Sequence, residues 1–109
     1  MPLIGEIMIF AGSFTPVGWF PCQGQLLPIR DYAPLFALLG TTYGGDGKVT
    51  FMLPDLRGAV PIGIGSKTGV VTTQGGTKHI ATHGTSTMDA LGLTYCIAYD
   101  PRYDFPERP

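Results

Sequence analysis

This sequence contains no asparagine, few charged side chains and no long hydrophobic run. Without asparagine, it has no acceptor for N-glycosylation. Charged residues make up 14% of the 109 positions and hydrophobic residues 44%, a balance that excludes an intrinsically disordered chain. The longest apolar run, residues 7–11, is far shorter than the roughly 20 residues that cross a bilayer, so we expect no membrane insertion. The formal net charge of −1 offers no basic surface for nucleic acid.

Glycine and proline are abundant instead, with 16 and 10 copies. Because both residues interrupt helices, this content excludes a helical bundle. Cys22 and Cys96 lie far apart in the sequence, in no metal or redox motif, and each has apolar neighbours. We interpret both as free, buried cysteines. The alternative is a disulfide, which would require an oxidising compartment.

The residue pattern predicts an α+β fold, made mainly of short β-strands and loops with one short helix. Residues that favour strands are concentrated at positions 4–10, 49–54 and 93–99. Gln23 and Gly24 suit a tight hairpin joining residues 19–22 to residues 25–27, because glycine tolerates positive φ. Pro21 places its strand at a sheet edge.

One helix is predicted at about residues 31–39. Asp31 is the expected N-cap, and Pro34 is tolerated because it falls in the first turn. Gly40 is suited to end the helix. The apolar face consists of Leu35, Phe36, Leu38 and Leu39. A helix this short depends on tertiary packing for its stability.

No pattern of residues indicates a catalytic or cofactor site. The glycine-rich residues 44–48 and 63–68 lack the full phosphate-loop motif, and no serine stands in a nucleophile elbow. His79 and His83 are interpreted as solvated or hydrogen-bonded, with a metal ion shared between chains as the alternative. We therefore predict a protein that is not an enzyme and has no cofactor.

Two ordered strings of turn residues carry a resemblance to a known family. Residues 40–47 read GTTYGGDG and residues 50–58 read TFMLPDLRG. With matching pieces upstream, they resemble the signature of the phage tail collar domain, in its microcystin-dependent protein branch. The resemblance runs from residue 3 to about residue 65. It implies that Asp46, Asp55 and Arg57 belong to the structural motif. For the last two, the residue types also favour capping of backbone N–H groups and anchoring of a neighbouring acid.

The second half of the chain departs from that family. Members usually carry a long insertion with a Met-Pro-x-His-x-His motif, which binds metal on the trimer axis of some tail fibres. This sequence has no His-x-His pair, whereas residues 75–79, 91–98 and 105–108 resemble the closing segment of the family. The chain therefore resembles a shortened collar domain. We expect one domain over residues 1–109, with a core motif region (1–65), a Gly/Thr-rich extended segment (66–90) and a closing strand with its tail (91–109).

The resemblance implies a structural and adhesive protein of a phage or phage-like tail, such as a tail fibre, tail tip or collar component. Its implied location is the virion tail, and its implied partners are other tail or baseplate proteins and a host surface receptor. The alternative is a bacterial protein, at the cell surface or secreted, that reuses the domain for binding. A candidate contact surface is formed by Tyr99, Arg102, Tyr103 and Phe105, since aromatics and arginine are enriched at binding hot spots. Alternatively, these rings simply cover the core.

Self-association is expected from the residues as well as from the resemblance. Residues 63–87 hold 6 Gly, 7 Thr and 2 Ser, too few large side chains to fold back on a core of their own. Small residues allow backbones to approach closely, and threonine favours extended structure. We therefore predict an intertwined homotrimer, in which closed cyclic symmetry limits further association.

Overall fold

The computed structural model describes residues 1–67, 70–77 and 88–109. In these ranges the chain forms short antiparallel strands and loops with one α-helix, which confirms the predicted α+β class. The strands are β1 (Ile7–Phe10), β2 (Trp19–Pro21), β3 (Leu26–Pro28), β4 (Thr50–Met52), β5 (Gly65–Lys67), β6 (Val70–Thr72) and β7 (Thr94–Ala98). The helix α1 (Ala33–Leu39) follows a 3₁₀ turn (Ile29–Asp31). The histidines His79 and His83 lie outside the described residues.

The strand β7 is the centre of a three-stranded antiparallel sheet with the order β1–β7–β2. Ile97 pairs with Ile7 on one side and with Phe20 on the other, and it is buried. The strand predicted over residues 93–99 is thereby confirmed. Pro21 lies in β2 at the sheet edge, as predicted, where its missing N–H leaves no gap in the ladder.

The hairpin predicted at Gln23 and Gly24 is wrong. β2 pairs with β7, whereas β3 pairs with β4 in a separate two-stranded sheet. The backbone that follows β2 is hydrogen-bonded to β7, because the Cys22 N–H donates to the Tyr95 carbonyl oxygen at 2.9 Å. Gly24 does adopt a positive φ of 71°, and its N–H donates to the Pro54 carbonyl oxygen at 3.2 Å. This turn therefore leads the chain out of the first sheet and does not reverse it.

The predicted helix forms as α1, but Asp31 is not its N-cap. Tyr32 occupies that position and makes no side-chain capping bond. Asp31 is already part of the preceding 3₁₀ turn, one residue too early to cap the first free N–H groups of the helix. At the other end, Gly40 has φ 53° and donates its N–H to the Phe36 carbonyl oxygen at 2.8 Å. The predicted glycine stop is thus confirmed.

The core lies between the first sheet, the helix and the β3–β4 pair. Its buried members are Ile4, Cys22, Leu27, Leu35, Phe51, Leu53 and Ile97. Both cysteines are buried and free, which confirms the preferred interpretation of the sequence. Burial, together with the neighbouring Cys96 and Asp55, raises the pKa of the Cys22 thiol to about 12. Cys22 therefore behaves as a small hydrophobic residue of the core.

Two segments leave this body. The described residues 59–67 and 70–77, which we call the arm, contain β5 and β6 paired with each other. The Gln74 side-chain amide donates to the Tyr43 hydroxyl at 3.1 Å, which ties the end of the arm to the loop after α1. The tail after β7 returns to the N-terminal segment, where Asp104 bridges Leu3 in parallel.

Candidate functional site

The Asp46 loop is held together by one carboxylate. The Oδ1 atom of Asp46 accepts hydrogen bonds from the backbone N–H groups of Lys48, Val49 and Thr50, each at 2.9 Å. These bonds favour the ionised form and lower the pKa of Asp46 to about 2. Gly45 has φ 92° and lies so close to β4 that a side chain there would collide with it. The loop is therefore locked against the start of β4.

The second part of the motif, residues 55–57, is a turn in which Asp55 and Arg57 bind each other. The Asp55 Oδ1 atom accepts the Arg57 backbone N–H at 3.1 Å and its Nε–H at 2.9 Å, while Oδ2 accepts the Nη2 donor at 2.8 Å. Arg57 thereby lowers the pKa of Asp55 to about 2. Asp55 also forms an isolated β-bridge with Gln23, the residue before Gly24. The pair holds the chain between β4 and the arm.

A third turn repeats this geometry, and sequence reasoning missed it. Asp100 Oδ1 accepts the Arg102 backbone N–H at 2.9 Å and its Nε–H at 3.0 Å, and a second guanidinium nitrogen pairs with Oδ2. Hydrogen bonds from Arg102 lower the pKa of Asp100 to about 2. The Asp100 residue is buried, whereas the Arg102 side chain is 79% exposed. The Asp-x-Arg spacing that it shares with Asp55 and Arg57 was the available signal.

The four residues expected to contact a partner differ in burial: two are half-buried and two are exposed. The Tyr99 ring stacks on Phe20 with ring centroids 4.0 Å apart. Tyr103 packs beside Trp19 and covers Gly18, where any side chain would strike the tyrosine hydroxyl. These two rings are half-buried against the core. Arg102 and Phe105, by contrast, present exposed side chains to solvent.

A groove of about 860 Å³ separates the arm from the body. Its body side includes Ile7 of β1, Met52 of β4 and Leu56. Its arm side includes Val60, Ile62 and Ile64, which we call the arm strip and which stand at every second position. Each member of the arm strip is exposed. The groove therefore offers apolar contact area. Asp55 and Arg57 also line it, and their charged groups are paired with each other.

Within the described ranges, no group of three or more His, Cys, Asp or Glu side chains is arranged to hold a metal ion. His79 and His83 are not among those residues. No helix in the part of the chain that the structure describes is both long and apolar enough to cross a bilayer.

A model of the phage tail collar domain matches residues 5–61, more than half of the chain. This stretch contains the Asp46 loop, the Asp55–Arg57 turn, α1 and the strands β1 to β4. The chain belongs to the phage tail collar domain family. Comparison with curated proteins gives no match, and neither does comparison with solved structures.

Membership of the collar family gives this chain a general structural role of the phage tail-fibre kind. The family is structural and is not known for enzymatic activity. It points to the virion tail as location and to other tail components as associates. The arm beyond residue 61 and the tail with Tyr99 and Arg102 lie outside the matched stretch.

Proposed function

We propose that this collar-domain chain is a non-enzymatic structural and adhesive component of a phage or phage-like tail, acting in tail assembly and host attachment. The observation that carries the proposal is the family match over residues 5–61, which includes both locked loops of the motif. The whole chain serves as one domain, a shortened member of the microcystin-dependent branch, without the insertion that carries His-x-His.

Electron microscopy with an antibody against this chain tests the location. Purified particles from the producing strain are labelled and compared with particles treated with antibody that has been preabsorbed on the purified chain. We expect label at the distal tail. Label confined to the bacterial envelope would instead support the alternative of a bacterial binding protein that reuses the collar domain.

The proposed working form is a homotrimer. Large apolar side chains such as Val17, Val60 and Ile64 are more than 60% exposed, and burial between copies would remove such surface from water. Sedimentation equilibrium should give a mass near three times the 11.6 kDa of one chain. A well-folded species with the mass of a single chain, stable at micromolar concentration, would contradict this part of the proposal.

The proposed contact surface for a receptor or a neighbouring tail protein is the tail with Tyr99, Arg102, Tyr103 and Phe105. Tyr99 and Tyr103 support it from the core side, while Arg102 and Phe105 make the contact. The Phe105 residue is 51% exposed, and Phe14, at 69%, provides a matched control elsewhere on the surface.

Particles carrying Phe105→Ala should adsorb to host cells more slowly than wild-type particles, whereas Phe14→Ala should leave adsorption unchanged. Truncation of an aromatic anchor at a hot spot costs about 2 kcal/mol or more, which corresponds to a loss of affinity on the order of thirtyfold. Equal adsorption by both variants, with equal incorporation into particles, would remove this surface from consideration.

A further inference from the structure

The chain exposes more surface than a compact monomer of its mass. A folded chain of 11.6 kDa exposes about 5,800 Å², whereas this one exposes 8018 Å². The radius of gyration is likewise 15.6 Å, against about 13 Å for a compact chain of 109 residues. The excess of roughly 2,200 Å² exceeds the 800 Å² or so that one partner buries in a standard interface. It is enough for two interfaces per chain.

Two interfaces per chain are what a closed ring of identical copies requires. In a cyclic assembly with more than two members, each copy meets its neighbours through two different patches. The structure should therefore contain two apolar patches that fit each other but cannot meet fully within one chain. The arm and the groove meet this description.

The first patch is the arm strip. Val60, Ile62 and Ile64 are 63%, 41% and 61% exposed. The strands β5 and β6 that follow form a sheet of two strands only, and such a hairpin is marginally stable without further packing. The arm therefore gains most from a surface that covers it.

The second patch is the body side of the groove. Ile7 lines the groove and pairs with the buried Ile97, yet it is 44% exposed. Ile9, further along β1, pairs with Tyr95 and is 55% exposed. The core thus ends before it reaches this edge of the sheet. An edge strand with exposed branched side chains is a natural place for another chain to add. Within the same chain, a groove of about 860 Å³ keeps this side apart from the arm strip.

We propose that copies exchange arms: the arm strip of one copy, which lines the groove of its own chain when the chain is alone, packs instead into the groove of a second copy of this chain. Val60, Ile62 and Ile64 of the incoming arm then pack against Ile7 and Leu56 of the receiving body. Each copy gives one arm and receives one, and this head-to-tail contact forms a ring when the rotation between copies closes after three members. The inference rests on the proposed self-association and names the surfaces that produce it.

Ile62→Asp tests the contact, with Val49→Asp as the matched control. Val49 is 66% exposed and does not line the groove, so both variants place a new carboxylate on the surface of a single chain. Only the carboxylate at position 62 would be buried between copies, where an unpaired charge is strongly unfavourable. The dissociation constant of the assembly, measured by sedimentation, should rise on the order of thirtyfold or more for Ile62→Asp. It should stay within about twofold of wild type for Val49→Asp.

A photo-crosslinking residue at position 62 gives a second measurement that does not depend on a destabilising charge. Chains with and without heavy isotopes are expressed, mixed during assembly and irradiated, and the linked peptides are identified by mass. We expect links between chains that join position 62 to the peptides containing Ile7 or Leu56. Links within one chain only, or links to other surfaces, would overturn the proposal.

The outcomes separate this inference from the proposed function. If wild-type protein associates and Ile62→Asp associates equally well, the arm contact is wrong while the homotrimer and the tail role stand. If the wild-type chain is monomeric, the arm contact and the homotrimer both fail, and antibody labelling still decides the tail role. Absence of label from tails refutes the tail role alone, because association in solution is measured separately.

Discussion

Leu35 anchors the helix, and its truncation should be among the most damaging changes in the chain. Its exposed fraction is 0%, and it packs in the core with Phe51 and Ile97. The change Leu35→Ala removes three buried carbon atoms, which costs about 2.4 kcal/mol in lost transfer free energy. The cavity that remains adds to this, so we expect a total loss of about 3–5 kcal/mol in the free energy of unfolding.

The matched control is Leu26→Ala, which is the same chemical change at a residue that is 55% exposed. A largely exposed position leaves little or no cavity, and the expected loss is below about 1 kcal/mol. Leu38, on the same helix as Leu35, is only partly buried, so Leu38→Ala should fall between these two. The three variants together test whether burial, and not helix propensity, determines the loss.

Urea unfolding followed by the fluorescence of Trp19, the single tryptophan, provides the assay. All variants are compared at one chain concentration, because association shifts the apparent stability. A loss below about 1 kcal/mol for Leu35→Ala, or equal losses for Leu35→Ala and Leu26→Ala, would show that the helix does not pack as described.

Three further changes test other parts of the structure. Gly45→Ala should destabilise the protein more than Gly58→Ala. Both glycines have positive φ, but only at position 45 would the new Cβ meet the β4 backbone, at 2.5 Å. Equal melting temperatures of the two variants would contradict this prediction. The pKa of Asp100 is about 2 in the folded protein and about 3.9 in the unfolded chain. The pairing of Asp100 with Arg102 therefore stabilises the fold above about pH 4. This contribution is lost as the pH falls towards 2. Asp100→Asn should therefore show a smaller loss of melting temperature between pH 5 and pH 2.5 than wild type, and parallel curves would refute the pairing. Since the His-x-His pair is absent, EDTA should leave the melting temperature unchanged, and a marked fall would make a histidine outside the described ranges a metal ligand.

Much of the fold was predictable because it depends on residue types over short distances. Glycine is a common residue at the end of a helix, which made the stop at Gly40 predictable, and proline within a strand favours a sheet edge, which made the place of Pro21 predictable. The cysteines were predicted to be buried and free because each has apolar neighbours and neither stands in a metal motif. The collar signature was recognisable for the same reason, since it is an ordered string of turn residues.

The candidate site was predictable only in part. Asp46, Asp55 and Arg57 stand out in the sequence, but the turn formed by Asp100 and Arg102 was missed, although it has the same spacing. The role of this turn depends on the burial of Asp100, which the tertiary structure produces and the local sequence does not indicate. Similarly, Tyr99 and Tyr103 belong to an aromatic sequence, and only packing against Phe20 and Trp19 distinguishes them from the exposed Phe105.

The sequence by itself determined the α+β class, the position of the helix and the membership signature of the collar family, because local propensity and turn chemistry act between near neighbours. The tertiary structure alone decided which strands pair. Residues 19–21 find their partners at residues 96–98 instead of in the next strand, because a central strand buried on both sides removes more apolar surface from water than a local hairpin would. The tertiary structure also created the groove beside the arm, because the walls of this groove come from segments that are distant in the chain and leave space between them.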